Sequence, residues 1–137
     1  MKINIQDASS YFKGLLLLIR KDHRIDDSEV ELMRRVGKSL GFEPRFCENA
    51  IQEILESTYI VDTPPVFSSP ELAGKFVRDG LTLAQSDNEI HPAEDEWLRS
   101  TAEKNHLDLQ WFLREREQVI KRRSSAGALE VEELIVE

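Results

Sequence analysis

The chain has 137 residues with 26 acidic and 18 basic side chains, which give a formal net charge of −8 and exclude a strongly basic, phosphate-binding surface. Its length fits one domain, and 40% hydrophobic residues provide enough apolar material for a core, so wholesale disorder is excluded. One cysteine rules out an internal disulfide, and no apolar run is long enough to span a bilayer. We therefore expect a soluble cytoplasmic protein that neither binds nucleic acid nor inserts into a membrane.

The first half of the chain has the pattern of three helices. Apolar residues at helical spacing predict the first helix over residues 8–21. The second helix is predicted to begin after Asp26, an N-cap residue that forms a capping box with Glu29. It is predicted to end before Gly41, which suits the left-handed position after a helix, and Pro44 opens the third helix.

The second half repeats this order after a linker. Two prolines within Val61–Val66 predict a non-helical connection, because proline lacks the N–H that a helix needs. Ser69 is then the predicted cap of a fourth helix, which starts at a proline. His91 and Glu94 are placed at the cap and third position of a fifth helix, and a sixth is predicted over residues 109–121.

The two halves match each other when one is shifted by 65 residues. This shift places residues 22–29 on residues 87–94 and keeps apolar positions apolar along most of both halves. We predict an all-α fold in which two pseudo-repeated three-helix units pack as one helical domain. Its parts are a repeat unit 8–58, a linker 60–68, a repeat unit 70–122 and an acidic tail 124–137.

Both units contain the pattern D-x-x-I-x-x-x-E between their first two helices. This is the second half of a calcium loop of the EF-hand type, in which the aspartate and glutamate are ligands and the isoleucine anchors the loop in the core. The first half is missing, so a complete EF-hand is excluded on ligand count. Two explanations remain open: a divalent cation held by Asp22, Glu29, Asp87 and Glu94, or acidic residues that only cap helices.

These residues resemble the TerB-like family, named for a tellurite-resistance protein. Its mark is D-G-x-I-x-x-x-E between two helices, present in two copies, and the likeness covers about residues 8–56 and 70–120. His23 and Asn88 stand where the family pattern has glycine. The resemblance implies an all-helical, non-enzymatic protein associated with tellurite and other chemical stress. It also implies a divalent metal ion (calcium, magnesium or zinc) at four positions: Asp22, Glu29, Asp87 and Glu94.

Other functional classes have weaker support in the sequence. The common catalytic motifs are absent, so an enzyme is not expected, and a metal-dependent hydrolase using His91 is the least favoured alternative. A protein-interaction module is the main alternative, suggested by the acidic tail and by a Trp97 predicted to contribute to an exposed patch. Cys47 is predicted to be a buried structural thiol, and His106 to end a helix.

The tail has three possible readings: a docked segment, a disordered tail or part of a contact with a partner. Residues 129–132 alternate in hydrophobicity as a strand does. Met1–Ile5 alternates as well, so a pairing between the two ends of the chain is one possibility. No feature of the sequence defines an oligomeric state.

Overall fold

A computed structural model describes residues 1–22, 26–57, 61–85, 90–122 and 129–137, with nothing described for the side chain of Asp22. The described residues are mostly helical, which confirms the all-α class. The helices are α1 (Ile5–Ile19), α2 (Asp27–Ser39), α3 (Pro44–Glu56), α4 (Pro70–Ala84), α5 (Pro92–Lys104) and α6 (Leu109–Arg122). Short elements complete the described part: 3-10 helices at Arg20–Asp22 and Glu130–Glu133, and two-residue strands β1 (Lys2–Ile3) and β2 (Ile135–Val136).

Local capping chemistry determines where the helices begin and end. Asp26 caps α2, as predicted, and Gly41 lies after it with a φ of 80°. His106 takes the equivalent place after α5 with a φ of 61°, in agreement with its predicted role in ending a helix. The first helix begins three residues earlier than predicted, because the Asn4 side chain accepts the Asp7 N–H at 2.7 Å and caps α1 at Ile5.

α1 and α4 lie side by side at the centre of the protein and run in the same direction. Three contacts follow one another along both chains: Asp7 with Ser68, Tyr11 with Phe76, and Leu18 with Gly80. The first pair lies near the two helix starts and the last pair near the two helix ends. The C-terminal ends of α1 and α4 are therefore at the same end of the helix bundle.

The linker packs into the groove between α1 and α5. Pro65 lies against Gly14, where a β-carbon would be only 3.1 Å from the proline ring. The Asn105 side-chain amide donates to the Pro65 carbonyl at 2.9 Å, and the Trp97 indole N–H donates to the Asp62 carbonyl at 2.7 Å. Trp97 is consequently buried, so its predicted place in an exposed patch is wrong.

The last described segment, residues 129–137, packs against α4 and α2. Its strand β2 pairs in parallel with β1, Lys2 opposite Ile135, so the two ends of the chain do meet. The prediction of a strand over residues 129–132 is wrong, because Glu130–Glu133 forms a 3-10 helix and the strand follows it.

Cys47 of α3 is buried, as predicted, with its sulfur close to Gly37 of α2.

Candidate functional site

The first acidic turn leads into α2 through a closed capping box. The Glu29 N–H donates to Asp26 Oδ1 at 2.9 Å, and the Asp26 N–H donates in return to Glu29 Oε1 at 3.2 Å. The Ser28 hydroxyl also donates to Asp26, at 2.7 Å, and this bond together with the Glu29 N–H lowers the pKa of the Asp26 carboxyl. Glu29 is buried, so its carboxylate has a structural role in starting α2.

The second acidic turn leads into α5 with the same arrangement and a histidine as cap. The Ala93 N–H donates to His91 Nδ1 at 3.0 Å, and the His91 N–H donates to Glu94 Oε1 at 3.3 Å. Glu94 is buried like Glu29. Because one imidazole nitrogen accepts the capping bond, His91 acts in helix initiation.

The predicted metal set is only partly described. Glu29 and Glu94 have the positions just given, and Asp22 is the last residue of the 3-10 helix that follows α1. Asp87 and the side chain of Asp22 lie outside the described residues. Within the described ranges, no group of three or more His, Cys, Asp or Glu side chains could hold a metal ion.

The described residues that lead into the two acidic turns lie at one end of the bundle. This follows from the parallel course of α1 and α4, whose C-terminal ends are followed by residues 20–22 and by Gln85. The 3-10 helix Arg20–Asp22 packs against α5, the helix that the second turn precedes. The first turn therefore starts next to the helix that receives the second.

A polar cleft of about 320 Å³ lies at this same end, lined by Leu17, Arg20, Lys21 and Asp62. Arg20 Nη2 donates to the Ser57 carbonyl at 2.5 Å, and Lys21 forms an ion pair with Asp62. Burial lowers the pKa of Lys21, the neighbouring Arg20 lowers it further, and Glu96 on α5 opposes both. The end of the bundle thus carries both signs of charge.

A second buried polar cluster, which the sequence reasoning missed, joins α1, α4 and the C-terminal segment. Asp79 is 1% exposed and accepts three hydrogen bonds: from the Tyr11 hydroxyl at 2.7 Å, the Glu130 N–H at 2.6 Å and the Val131 N–H at 2.9 Å. Burial raises the pKa of Asp79 to about 6, although these hydrogen bonds act in the opposite direction. The available signal was a charged residue three positions after Phe76, on the apolar face of α4.

The fold, the two capping boxes and the Asp79 cluster together describe an all-α protein in which an acidic turn leads into each of α2 and α5. Comparisons of the chain with protein-family models, with curated proteins and with solved structures found no match. Among the described helices, none combines the length and the apolar character that a membrane span requires.

Proposed function

We propose that this protein is a non-enzymatic, cytoplasmic protein of the TerB-like type that binds a divalent cation through its two acidic turns. The observation that supports the proposal is that both turns start at the same end of the bundle. Two carboxylates from each turn can then contribute to a common ion, whereas turns at opposite ends would leave each pair alone. Calcium takes six to eight oxygen ligands, so a pooled set suits it better than one turn does.

The proposal includes an internal duplication of a three-helix unit. α1, α2 and α3 contain 15, 13 and 13 residues, and α4, α5 and α6 contain 15, 13 and 14. Both units have a capping box before the second helix and a positive φ after it. Each unit is also followed by a segment that packs on the first helix of that same unit: Pro65 on Gly14 of α1, and Glu130 on Asp79 of α4. Gly14 and Asp79 are 65 residues apart, as the shift requires.

The donor set fits a hard cation. The residues proposed to hold the ion are Asp22, Glu29, Asp87 and Glu94, all of which offer carboxylate oxygens. Calcium and magnesium favour such ligands, whereas structural zinc sites favour thiolate and imidazole. The ion would neutralise acidic charge and hold the two units together.

Calorimetric titration with calcium, magnesium and zinc, combined with amide NMR spectra, tests the metal proposal. We expect binding heat and shifts of the amide signals of Asp22 and Asp87, and we expect both to disappear in the double variant D22N/D87N. The matched control is Glu43→Gln, which alters an acidic residue at the start of α3 that makes no side-chain capping bond. Absence of heat with all three metals, with unchanged spectra, would exclude the site.

The link to stress is proposed from the family resemblance. Cells that lack the chain should then be more sensitive to tellurite, and the wild-type chain should restore resistance while D22N/D87N does not. Restoration by D22N/D87N to the wild-type level would separate any stress role from the acidic turns.

The second candidate is a protein-interaction module in which the acidic turns are only helix caps. It is favoured by the two closed capping boxes, which give Glu29 and Glu94 a folding role without any ion. Phe46 and Leu55, on opposite sides of α3, are exposed apolar side chains available for contact with a partner. A partner captured by the wild-type chain and lost with F46S/L55S, with no metal dependence, would favour this function over the first.

A further inference from the structure

The C-terminal segment, residues 129–137, occupies a groove formed by α2 and α4. Three apolar side chains of the segment are buried in the core: Leu129, Val131 and Leu134. They are spaced two and then three residues apart, and the 3-10 helix Glu130–Glu133 places the three side chains on one side of the segment. The segment is therefore held as a bound peptide is held, by apolar anchors in a preformed surface.

The floor of the groove recognises the backbone of the segment. Asp79 accepts the N–H groups of Glu130 and Val131, and Tyr11 completes the arrangement from α1. The equivalent position under the linker is Gly14, which supports a packed segment without any carboxylate. A buried carboxylate is thus not needed for packing alone, and at Asp79 it fixes the register of the segment.

The rim of the groove is basic and the segment is acidic. Lys75 on α4 lies 3.3 Å from Glu130 and 3.4 Å from Glu133. On the other side, Arg35 of α2 forms an ion pair with Glu132. These charges select an acidic segment in a protein whose overall charge is −8.

The segment makes its principal contacts with elements other than the helix it follows in the chain. In the described part of the molecule these are α4, α2 and β1, with the Ile135 N–H donating to the Met1 carbonyl at 2.8 Å. None of these contacts requires that the segment and the groove belong to the same molecule. A segment from another molecule would make every one of them equally well.

We propose that this groove is a segment-binding site that also accepts the C-terminal segment of a second copy of the chain, by exchange. The proposal does not rest on metal binding or on the TerB-like resemblance. Docking within one molecule has the advantage of a high effective concentration, so the wild-type chain is monomeric when dilute. If the charges of the segment and the groove no longer match within each molecule but still match between two molecules, the exchanged dimer will be favoured.

Charge reversal on full-length chains tests the exchange. One variant, R35E, reverses the groove side of the Arg35–Glu132 ion pair, and a second, E132R, reverses the segment side. Each is mismatched within itself, but in a mixture the reversed segment fits the reversed groove and the wild-type segment fits the wild-type groove. The double variant R35E/E132R, which is matched within one molecule, is the control.

We expect native mass spectrometry and light scattering to detect a one-to-one complex in the mixture, at least tenfold tighter than self-association of either variant alone. The double variant R35E/E132R should remain monomeric like the wild type. A mixture that stays monomeric, while both variants keep the wild-type circular dichroism spectrum, would overturn the proposal. Equal self-association of each variant alone would also overturn it, because the contact would then not depend on matched charges.

Discussion

The Tyr11 hydroxyl on α1 donates a hydrogen bond of 2.7 Å to the Asp79 carboxylate on α4, and both side chains are buried. The same carboxylate holds the Glu130 and Val131 N–H groups of the C-terminal segment. One acidic group thus connects the central helix pair to the segment that closes the groove. All three donors depend on this acceptor, because Asp79 is only 1% exposed to solvent.

Removal of the Asp79 acceptor should strongly destabilise the protein. Asp79→Ala leaves two buried donors and one partly buried donor unsatisfied, so we expect the free energy of unfolding to fall by about 3 kcal/mol. Tyr11→Phe removes one donor only and should lower it by about 1 kcal/mol. Urea unfolding measures both, and the exposed Glu53→Ala on α3 is the control, expected within about 0.5 kcal/mol of the wild type. A wild-type midpoint for Asp79→Ala would contradict this role.

The same group predicts a pH dependence of stability. Its folded pKa of about 6 lies above the ordinary value of 3.8, so the folded state binds more protons between these values. The contribution of Asp79 is therefore greatest below pH 4 and decreases as the pH rises to 6, by about 3 kcal/mol at most. Burial raises the pKa of the neighbouring Tyr11 well above its ordinary value, so the Tyr11 hydroxyl stays protonated over this interval.

The comparison with Asp79→Asn isolates the contribution of Asp79 ionisation to stability, because asparagine cannot ionise. The stability of the wild type relative to Asp79→Asn should decrease between pH 4 and pH 6 and stay constant from pH 7 to pH 8. Chemical unfolding at each pH provides the measurement. An increase over the same interval would mean that the hydrogen bonds to the carboxylate outweigh its burial.

The cap of α2 can be tested separately from any metal. Asp26→Ala removes the acceptor of the Glu29 N–H and should lower the free energy of unfolding by about 1 kcal/mol. Asp26→Asn retains a capping oxygen and should lower it by no more than a few tenths of a kcal/mol. Thermal unfolding in a metal chelator measures both variants. If Asn is as harmful as Ala, the charge of Asp26 matters rather than its capping bond.

Features determined by neighbours in sequence were predictable, and features determined by distant residues were not. The caps Asp26 and His91, and the positive φ at Gly41 and His106, follow from side chains within four residues. Trp97 was misplaced because its indole partner, the Asp62 carbonyl, lies 35 residues earlier in the linker.

The same distinction between near and distant partners applies to the candidate site. The capping roles of Glu29 and Glu94 were visible as local alternatives, and both capping boxes are present. The Asp79 cluster was missed because its partners lie 68, 51 and 52 residues away. A charged side chain on an otherwise apolar helix face indicates a buried partner, but the sequence does not identify which one.

The packing of α4 against α5 and α1 at Gly80 gives a final test, because the close approach there favours a residue without a side chain. A β-carbon at Gly80 would lie 2.6 Å from Leu98 and 3.1 Å from Leu18. Gly80→Ala should therefore lower the free energy of unfolding by about 1–3 kcal/mol, despite the better helix propensity of alanine. Gly74→Ala in the same helix is the matched control, because its nearest neighbour would be Trp111 at 3.5 Å, an ordinary contact. It should be neutral or stabilising by up to about 1 kcal/mol. Urea unfolding of the double variant G80A/L98A, compared with Leu98→Ala alone, completes the cycle. The Gly80→Ala penalty should disappear once Leu98 is shortened. A penalty that persists would show that the close approach to Leu98 does not determine the need for glycine.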